Sequence, residues 1–443
     1  MDEQEYLDKA QEILRIKTPL MDKEALCAFV DKYLKKKNDY LDVCREKGSP
    51  LYLFDQLALR SKAQEFYRAF KSRISQVSFF YAMKSNNHPV MIETLVEEGY
   101  GIDVSSAEEL RCAVKYNPKS VIFSGPGKTD FELEFACHHS KVVTVLLDSF
   151  GELDRLQKVA CRKDIKIKAG VRLMNEENGL WRKFGVPLDK LDCFFGKAKE
   201  CSHVELCGLQ FHSSWNLDAN KQIAFLERLG KAFLQMDKSV VQEIDFVDVG
   251  GGYWPAQGEW MQPSSTPEGK LKQCLVPQMS EGMDHRCLPS ISIEEFAQDL
   301  ADALDQHIFK YIDCDIYLEP GRWISHEVMH ILLEVIDKKD KDVVVTDGGT
   351  NMIGWERFEI DYFPVINLSQ PSLEEKPCMV FGSLCTPHDI WGFSYFGKGI
   401  EVGDVLMIPT QGSYTYSLRQ NFIKLLPKSA VMNNSLIELW SDR

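Results

Sequence analysis

The chain has 443 residues, 44% of them hydrophobic, and a formal net charge of -14. This composition excludes a disordered or fibrous protein, and the acidic charge excludes a broad surface for nucleic acid or anionic lipid, which would need clustered lysine and arginine. A chain of this length is expected to form two domains with a sizeable core.

The start of the chain and its cysteines predict the cellular setting. The first residues, MDEQEYLDKAQEILRIK, are acidic and helix-like, unlike a signal peptide, and no apolar stretch approaches the roughly 18 residues of a membrane span. The 13 cysteines include no CxxC pair, and His138 and His139 are adjacent, which makes a poor metal pair. We expect a cytoplasmic protein with reduced cysteines and no metal ion.

Residues 1–47 precede the main pattern and are predicted to form an N-terminal helical extension. Apolar residues at helical spacing, such as Tyr6, Ala10 and Ile13, indicate its helices. A turn at 48–50 follows, and then a short strand and a helix that lead into the next domain.

Eight strand-like runs then alternate with helical or polar stretches. They lie at 77–84, 99–106, 120–125, 142–149, 165–174, 204–212, 244–252 and 315–321. Eight such units over about 250 residues are typical of a (β/α)8 TIM barrel; a doubly wound open sheet, the alternative, usually has fewer strands. We assign residues 48–325 to the barrel with its entry strand and helix.

Two further regions complete the predicted organisation. The stretch 253–290 is rich in Pro, Gly, Ser and Gln and long for a barrel loop, so it is either an active-site lid or a mobile insertion. Residues 326–443 are predicted to form a C-terminal antiparallel β domain. Its strand-like runs lie at 328–339, 341–349, 378–383, 404–410 and 413–422.

Residues able to do unusual chemistry stand at the ends of predicted strands, where the active site of a barrel lies. Lys84 closes the first strand beside an apolar run, where an ammonium loses its proton more easily and can then attack an aldehyde. A lysine that merely reaches solvent from a strand end is the alternative. His212 ends the sixth strand and can lie flat against a ring or serve the structure alone.

Two glycine-containing strand ends suit a phosphate. The run 250–252 lets backbone N–H groups approach an anion, although such a triplet is also a common flexible turn. After the eighth strand, Glu319 can keep a ring nitrogen protonated, while Gly321 and Arg322 can help to bind a phosphate. These are the two requirements of a pyridoxal-phosphate (PLP) site.

Together these segments resemble the PLP-dependent decarboxylases of the alanine-racemase fold, which include the ornithine, arginine and diaminopimelate decarboxylases. The likeness covers about residues 48–430. It rests on YAMKSNN, GIDVSSAEEL, GVRL, FH at 211–212, DVGGG, EPGR, GSLCTPHD and GSY at 412–414, in the family's order and spacing.

The resemblance implies an α/β fold: a PLP-binding (β/α)8 barrel joined to a C-terminal β domain, working as a homodimer with shared active sites. Lys84 would hold the cofactor as a Schiff base, Glu319 would pair with the pyridine nitrogen, and His212 would stack on the ring. The other cofactor-binding positions implied are Asp103, Arg172, Gly251, Gly252, Gly321, Arg322 and Tyr414.

The resemblance also implies the chemistry. Protonated PLP accepts the electrons left when CO2 departs, and a donor then returns a proton to the former α-carbon. Cys385, reaching the partner's site, matches that donor, and Cys385, Asp361 and Asp389 match positions that face the substrate. The alternatives are a buried thiol for Cys385 and an exposed loop residue for Asp361.

Departures from the common pattern bear on the substrate. Relatives acting on basic amino acids usually follow the stacking histidine with a VGS-like sequence, whereas this chain has HSSWNLDAN. That segment, GPGKTD at 125–130 and LCTPHD are more similar to the branch with the siderophore citryl-diaminopropionate decarboxylase; the carrier-protein-linked glutamyl decarboxylase is another comparison. Both imply a modified or enlarged side chain, with a carrier protein as a possible partner.

Three functions remain open. The first is decarboxylation of a conjugated or pathway-specific amino acid, and the second is conventional ornithine, lysine or diaminopimelate decarboxylation, which Asp361 favours. The third is a non-catalytic regulatory relative, against which Lys84 and Cys385 argue. A racemase fits the fold, but the GSLCTPHD element points to decarboxylation.

Overall fold

The structure is a computed structural model that describes residues 2–176, 178–276, 282–354, 361–433 and, for the backbone, 436–440. Its helices are α1 (Glu3–Arg15), α2 (Lys23–Leu34), α3 (Lys37–Lys47), α4 (Gln56–Lys71), α5 (Pro89–Glu97), α6 (Ala107–Val114), α7 (Asp130–His138), α8 (Phe150–Lys163), α9 (Leu191–Lys199), α10 (Asn220–Phe233), α11 (Lys238–Val241), α12 (Pro267–Leu275), α13 (Ile293–Leu304) and α14 (Arg322–Ser325). No helix among the described residues is long and apolar enough to cross a membrane.

The strands, in chain order, form two large sheets and one small one. They are β1 (Leu51–Asp55), β2 (Val77–Ala82), β3 (Gly101–Val104), β4 (Val121–Phe123), β5 (Val143–Leu147), β6 (Ile167–Arg172), β7 (Val204–Gln210), β8 (Phe246–Asp248), β9 (Glu259–Met261), β10 (Arg286–Leu288), β11 (Asp315–Leu318), β12 (Met329–Asp340), β13 (Val343–Thr346), β14 (Ile366–Asn367), β15 (Glu375–Phe381), β16 (Ile390–Phe396), β17 (Val405–Ile408), β18 (Lys428–Asn433) and β19 (Leu436–Trp440).

The chain divides into two compact units. The barrel unit comprises residues 59–256 and 291–325, and the sheet unit comprises residues 1–58, 257–290 and 326–443.

The barrel unit contains a closed parallel barrel in the order β11-β2-β3-β4-β5-β6-β7-β8. All eight strands predicted for a TIM barrel are therefore present. Between strands, helices begin at side-chain caps: Ser106, Thr129 and Ser149 each accept a hydrogen bond from the amide of a glutamate three residues later. Such caps satisfy amides that the first helical turn leaves unpaired.

Aromatic side chains and glycines together fill the barrel near the start of its strands. Phe246 stacks on Tyr317 with ring centroids 4.4 Å apart. A Cβ atom added to Gly208 would lie 2.1 Å from the Phe246 ring, so only glycine leaves room for that ring. This end of the barrel is a packed core, which leaves the opposite end, where the strands finish, for polar residues.

The sheet unit is built on a nine-stranded sheet in the order β13-β15-β16-β14-β17-β12-β1-β18-β19. Most of its pairings are antiparallel, as predicted, but β1 pairs with β18 in parallel, as do β13 with β15 and β14 with β16. The sheet is consequently mixed. Its core includes α2 side chains such as Leu26 and Val30 beside Leu332 and Met407 of the sheet.

These pairings differ from the predicted domain boundaries in three places. The strand predicted as the entry to the barrel, β1, pairs with β12 and β18 and belongs to the sheet. The predicted extension, 1–47, and most of the predicted insertion, from residue 257 to 290, also belong to the sheet unit, although residues 277–281 lie outside the described residues. The predicted strand at 413–422 is wrong: it contains a 3-10 helix at Tyr416–Leu418, after a left-handed residue, Tyr414.

Candidate active site

Lys84 lies in a short 3-10 turn, Met83–Ser85, directly after β2. Its Nζ donates to Oδ2 of Asp103, which is in β3, at 2.7 Å. Asp103 is buried, and its other oxygen accepts a hydrogen bond from the Ser124 hydroxyl at 2.5 Å. Because β2 and β3 are parallel neighbours, their carboxyl ends bring the lysine and the acid together.

Arg172 ends β6 and is buried with an incomplete set of partners. Its Nε donates to no group among the described residues and lies 4.0 Å from Asp148. The guanidinium also sits 4.3 Å from the centroid of the Phe184 ring. Burial lowers the pKa of this side chain, with Asp148 and Glu319 opposing the shift, but guanidinium stays charged in proteins. A buried cation with an unused donor suits a polar or anionic ligand.

His212 lies two residues beyond β7 and is neutral. Its Nδ1 accepts a hydrogen bond from the backbone N–H of Gly251 at 3.1 Å, so this nitrogen carries no proton. Burial, together with the charges of Lys84 and Arg172, holds the pKa of His212 well below its usual value. The 3.7 Å separation between Nδ1 and Glu319 is therefore not an ion pair.

Glu319 follows β11 and is buried among polar groups. Oε1 accepts a hydrogen bond from Nε2 of Gln210 at 3.2 Å. Burial and the charge of Asp103 raise the pKa of Glu319 to about 7, while Lys84 and Arg172 act in the opposite direction. A cation placed beside this carboxylate would favour its ionised form.

The glycine run 250–252 lies where neighbouring strand ends approach one another. A Cβ on Gly251 would lie 2.2 Å from the backbone oxygen of Glu319, and one on Gly252 would lie 2.4 Å from that of Ser213. Gly250 and Gly252 also adopt left-handed backbone angles, with φ of +71° and +85°. The first two amides donate to Asp248 and His212, whereas Gly252 donates to no group among the described residues.

Gly321 and Arg322 complete the polar end of the barrel. A Cβ on Gly321 would be 3.2 Å from the Cβ atoms of Ala82 and Ser85, so this position also packs tightly against its neighbours. The guanidinium of Arg322 lies 4.2 Å from the ring of Trp254 and 6.0 Å from that of Trp215.

The remaining predicted site residues, Cys385, Asp389, Asp361 and Tyr414, belong to the sheet unit. Cys385 is exposed in the loop between β15 and β16. Tyr414 has a left-handed backbone with φ of +55°. Asp361 is partly buried and forms an isolated antiparallel β-bridge with Met261, while Glu359 and Ile360, the two residues before it, lie outside the described residues.

Asp389 requires a revised interpretation. The sequence assigned it to the substrate, but its side chain is buried and used within its own unit. One oxygen accepts hydrogen bonds from the amide and hydroxyl of Thr350 at 2.7 and 3.0 Å, and the other accepts the amide of Leu384 at 2.6 Å. These bonds fix the loop that carries Cys385.

Sequence reasoning missed two buried polar residues, Gln210 and Asp248. Gln210 precedes His212 by two positions, and Asp248 precedes Gly250 by two. Alternation along a strand therefore indicated that each side chain points the same way as the residue two places later. This alternation is the sequence signal that points to Gln210 and Asp248.

Lys128 of the GPGKTD segment has a structural environment. Its buried Nζ donates to Glu152 at 2.9 Å and to the carbonyl oxygens of Gly125 and Leu146, both at 2.7 Å. Burial lowers the pKa of Lys128, and Glu152 opposes that shift. These contacts explain the lysine without a substrate.

Three possible metal ligands, Glu205, Cys207 and Asp245, lie within 4.8 Å of one another at the packed end of the barrel. Ligand spacing in the sequence did not reveal them, because they come from neighbouring strands. The expected absence of a metal ion stays a prediction.

Comparison with known proteins identifies the class. Residues 59–326 match the family of pyridoxal-dependent decarboxylases, over its pyridoxal binding domain. The chain belongs to this family. It is a PLP-dependent enzyme that removes carboxylate from an amino acid.

Individual relatives are distant. The diaminopimelate decarboxylase of Methanothermobacter thermautotrophicus is 26% identical, over 87% of this chain and 86% of that protein. A crystal structure of diaminopimelate decarboxylase from M. jannaschii with L-lysine shares 22% identity and covers 90% of this chain and 91% of that one, with a TM-score of 0.74. A lysine/ornithine decarboxylase from Vibrio vulnificus with putrescine shares 21% identity and covers 91% of this chain and 99% of that one, with a TM-score of 0.70. At this distance the solved structures support the fold.

Proposed function

We propose that this decarboxylase acts on an amino acid with an enlarged or modified side chain, as a homodimer with shared sites. The observation that carries the substrate proposal is Trp215, a left-handed residue with φ of +54° that is 55% exposed. A bulky residue rarely adopts this backbone, so its position is held by surrounding contacts.

The segment that carries Trp215 is tied to the glycine run. The side-chain amide of Asn216 donates to the carbonyl oxygen of Gly251 at 2.9 Å, and the backbone N–H of Asn216 donates to the carbonyl oxygen of Gly252 at 3.0 Å. Trp215 also lies 5.9 Å from Trp254, ring to ring. The pair offers an apolar, planar wall beside the proposed phosphate site, suited to a planar or apolar extension of the substrate.

The described residues fit PLP. Glu319 supplies a buried carboxylate for the ring nitrogen, Arg172 supplies a buried cation with an unused donor, and the glycine run supplies a surface that any Cβ would block. When bound, PLP supplies an electron sink for the electrons left by departing CO2. We assign Lys84 to its covalent attachment and Asp103 to the ion pair that holds Lys84 in place.

Further residues would bind the cofactor without reacting. We place the phosphate near Gly252, Gly321 and Arg322 of the barrel unit, and the role of Tyr414 stays a prediction from the resemblance. His212, whose Nδ1 is occupied by Gly251, would present a neutral ring face to the cofactor and withhold a proton from the substrate. The proton donor must then come from elsewhere.

Cys385 is the proposed donor to the former α-carbon, and Asp389 is a positioning residue for it. The exposure of Cys385 allows its entry into a second copy of the chain, as the resemblance implies for this family. Mixing inactive Lys84→Ala and inactive Cys385→Ala chains tests this arrangement, since one site of each heterodimer would hold both wild-type residues. Recovered activity supports shared sites, and verified heterodimers without activity exclude them.

A diamino acid is the second candidate substrate. The relatives compared above include diaminopimelate decarboxylases, which favours this candidate, and the structure from M. jannaschii was solved with L-lysine. The resemblance matches Asp361 to the position of a carboxylate that binds a distal ammonium. A siderophore-like pathway, a carrier protein and a cytoplasmic location stay predictions.

The deciding experiment measures CO2 release from free ornithine, lysine and diaminopimelate and from amino acids conjugated through the side chain. We expect faster turnover of a conjugate. Trp215→Ser should lower kcat/KM for that conjugate and leave it unchanged for a small amino acid, while Tyr67→Ser, which removes another exposed aromatic side chain of the barrel unit, is the control. Preference for a free diamino acid, with no effect of Trp215→Ser, would favour the second candidate.

A further inference from the structure

A second buried acid, Asp248, adjoins Glu319. Asp248 ends β8, and β8 pairs with β11, which Glu319 follows. The amide of Glu319 donates to the carbonyl oxygen of Gly250 at 2.9 Å, which draws the two strand ends together. Both side chains are buried, Asp248 completely.

The hydrogen bonds of Asp248 show what its carboxyl group must be. Oδ1 accepts the amide of Gly250 at 2.8 Å. Oδ2 is buried, and no N–H or O–H donor among the described residues reaches it. The neighbouring acid that acts on the pKa of Asp248 is Glu319, and Asp248 acts on the pKa of Glu319 in return. Two ionised carboxylates buried at adjoining strand ends repel each other and cannot hydrogen bond, so a proton held between them would both remove the repulsion and satisfy the buried Oδ2.

The surroundings favour that proton on Asp248. Burial, and next the charge of Glu319, hold the pKa of Asp248 well above its usual value. The charges of Lys84 and Arg172 lower the pKa of Glu319, which also accepts a hydrogen bond from the side-chain amide of Gln210. The other titratable groups around the pair are Asp103, His212, Tyr253 and Tyr317.

We propose that Asp248 is a protonated positioning residue whose carboxyl group donates a hydrogen bond to Glu319 and thereby keeps Glu319 ionised for the pyridine nitrogen. A charge-assisted hydrogen bond from a neutral acid stabilises the carboxylate without adding a second negative charge. The aspartate of the DVGGG segment thus acts on the cofactor through Glu319. This inference rests on the role proposed above for Glu319.

Infrared spectroscopy of the wild-type protein without cofactor tests the proton directly. At pH 8 ordinary carboxyl groups are ionised, so the C=O band of a protonated carboxyl reports this pair. We expect that band to shift when the aspartate carboxyls carry carbon-13, and to be absent in Asp248→Asn. No band in the wild-type protein, or a band that shifts only with labelled glutamate, overturns the proposal.

The affinity for PLP, measured against pH in two variants, tests the consequence. The variant Asp248→Asn keeps both the acceptor for Gly250 and a donor for Glu319, so its PLP affinity should depend on pH as in the wild type. The variant Asp248→Val removes the donor, so Glu319 should bind a proton more readily. The fall in PLP affinity that occurs at low pH should therefore move to higher pH. At pH 7 we expect a loss of at least about tenfold. Equal profiles for Asp248→Val and the wild type would overturn the proposal.

The two tests separate failure of this inference from failure of the role of Glu319. If Glu319→Gln binds PLP with the wild-type pH profile, Glu319 does not serve the ring nitrogen, whatever the infrared band shows. If Asp248→Val does not fold, the labelled wild-type protein still decides where the proton lies.

Discussion

The backbone N–H of Gly251 donates a hydrogen bond to Nδ1 of His212 at 3.1 Å. This bond fixes the imidazole as the tautomer with its proton on Nε2 and joins the strand ends of β7 and β8. It also accounts for a histidine that lies 3.7 Å from Glu319 without forming an ion pair.

His212 is therefore expected to remain neutral throughout the physiological pH range. Its pKa is held well below the usual value, so the folded protein should not bind a proton here as the pH falls from 8 to 6, whereas the unfolded chain would. This group consequently lowers the free energy of unfolding as the pH drops below about 6.5. Nitrogen-15 NMR of labelled histidine, assigned with His212→Asn, should show one neutral tautomer; titration near pH 6.5 would contradict the assignment.

Glu319→Gln should reduce decarboxylation much more than cofactor binding. A neutral amide cannot supply the charge that keeps the ring nitrogen protonated. A loss of about 3 kcal/mol of transition-state stabilisation would slow the step roughly a hundredfold. Single-turnover rates, measured on protein whose PLP content is known from absorbance, provide the comparison, and an unchanged rate would remove Glu319 from this role.

Cys385→Ala should change the products. Without its proton donor, the former α-carbon is protonated less often, so the amine formed per CO2 released should fall, and hydrolysis should release a carbonyl product whose amino group stays on the cofactor. Cys193→Ala removes another exposed thiol and serves as the control. Mass spectrometry of the products decides the point, and an unchanged amine yield in Cys385→Ala would exclude the cysteine as donor.

Asp389→Ala should loosen the loop that carries Cys385. It removes the acceptor for Thr350 and Leu384, so we expect a loss of about 1–3 kcal/mol in the free energy of unfolding and a product ratio shifted in the direction seen for Cys385→Ala. Urea denaturation and product analysis measure the two effects. A wild-type product ratio in folded Asp389→Ala would mean that the loop keeps Cys385 in place unaided.

Lys128→Met should destabilise the barrel unit, because it leaves Glu152 as a buried, unpaired charge. The expected cost is about 3–5 kcal/mol, and the double variant with Glu152→Leu should recover part of it. Lys197→Met is the matched control, since its ion pair with Asp154 is exposed and should contribute less than about 1 kcal/mol. Equal stability of Lys128→Met and Lys197→Met would contradict the structural role of Lys128.

The sequence predicted the barrel well because each strand is a short apolar run that ends in polar or glycine residues. The parallel order then brings Lys84, Asp103 and Glu319 to one end without further information. The membership of β1 could not be predicted in this way. Its partners, β12 and β18, lie more than 270 residues along the chain, and no local pattern specifies such a pairing.

The details of the site depended on contacts that sequence spacing does not reveal. The neutral state of His212 follows from the amide of Gly251, and the burial of Asp389 follows from hydrogen bonds to a distant turn at Thr350. The resemblance identified these positions but not their partners. The proton proposed between Asp248 and Glu319 likewise follows only from the approach of two strand ends.

The most direct test of the whole account is the position of the cofactor. The holoprotein is reduced with borohydride, digested and mapped by mass spectrometry, with Lys84→Ala treated in parallel. We expect a pyridoxyl group on Lys84 of the wild-type protein and none at position 84 of the variant. A pyridoxyl group on another lysine of the wild-type protein would contradict the assignment of Lys84.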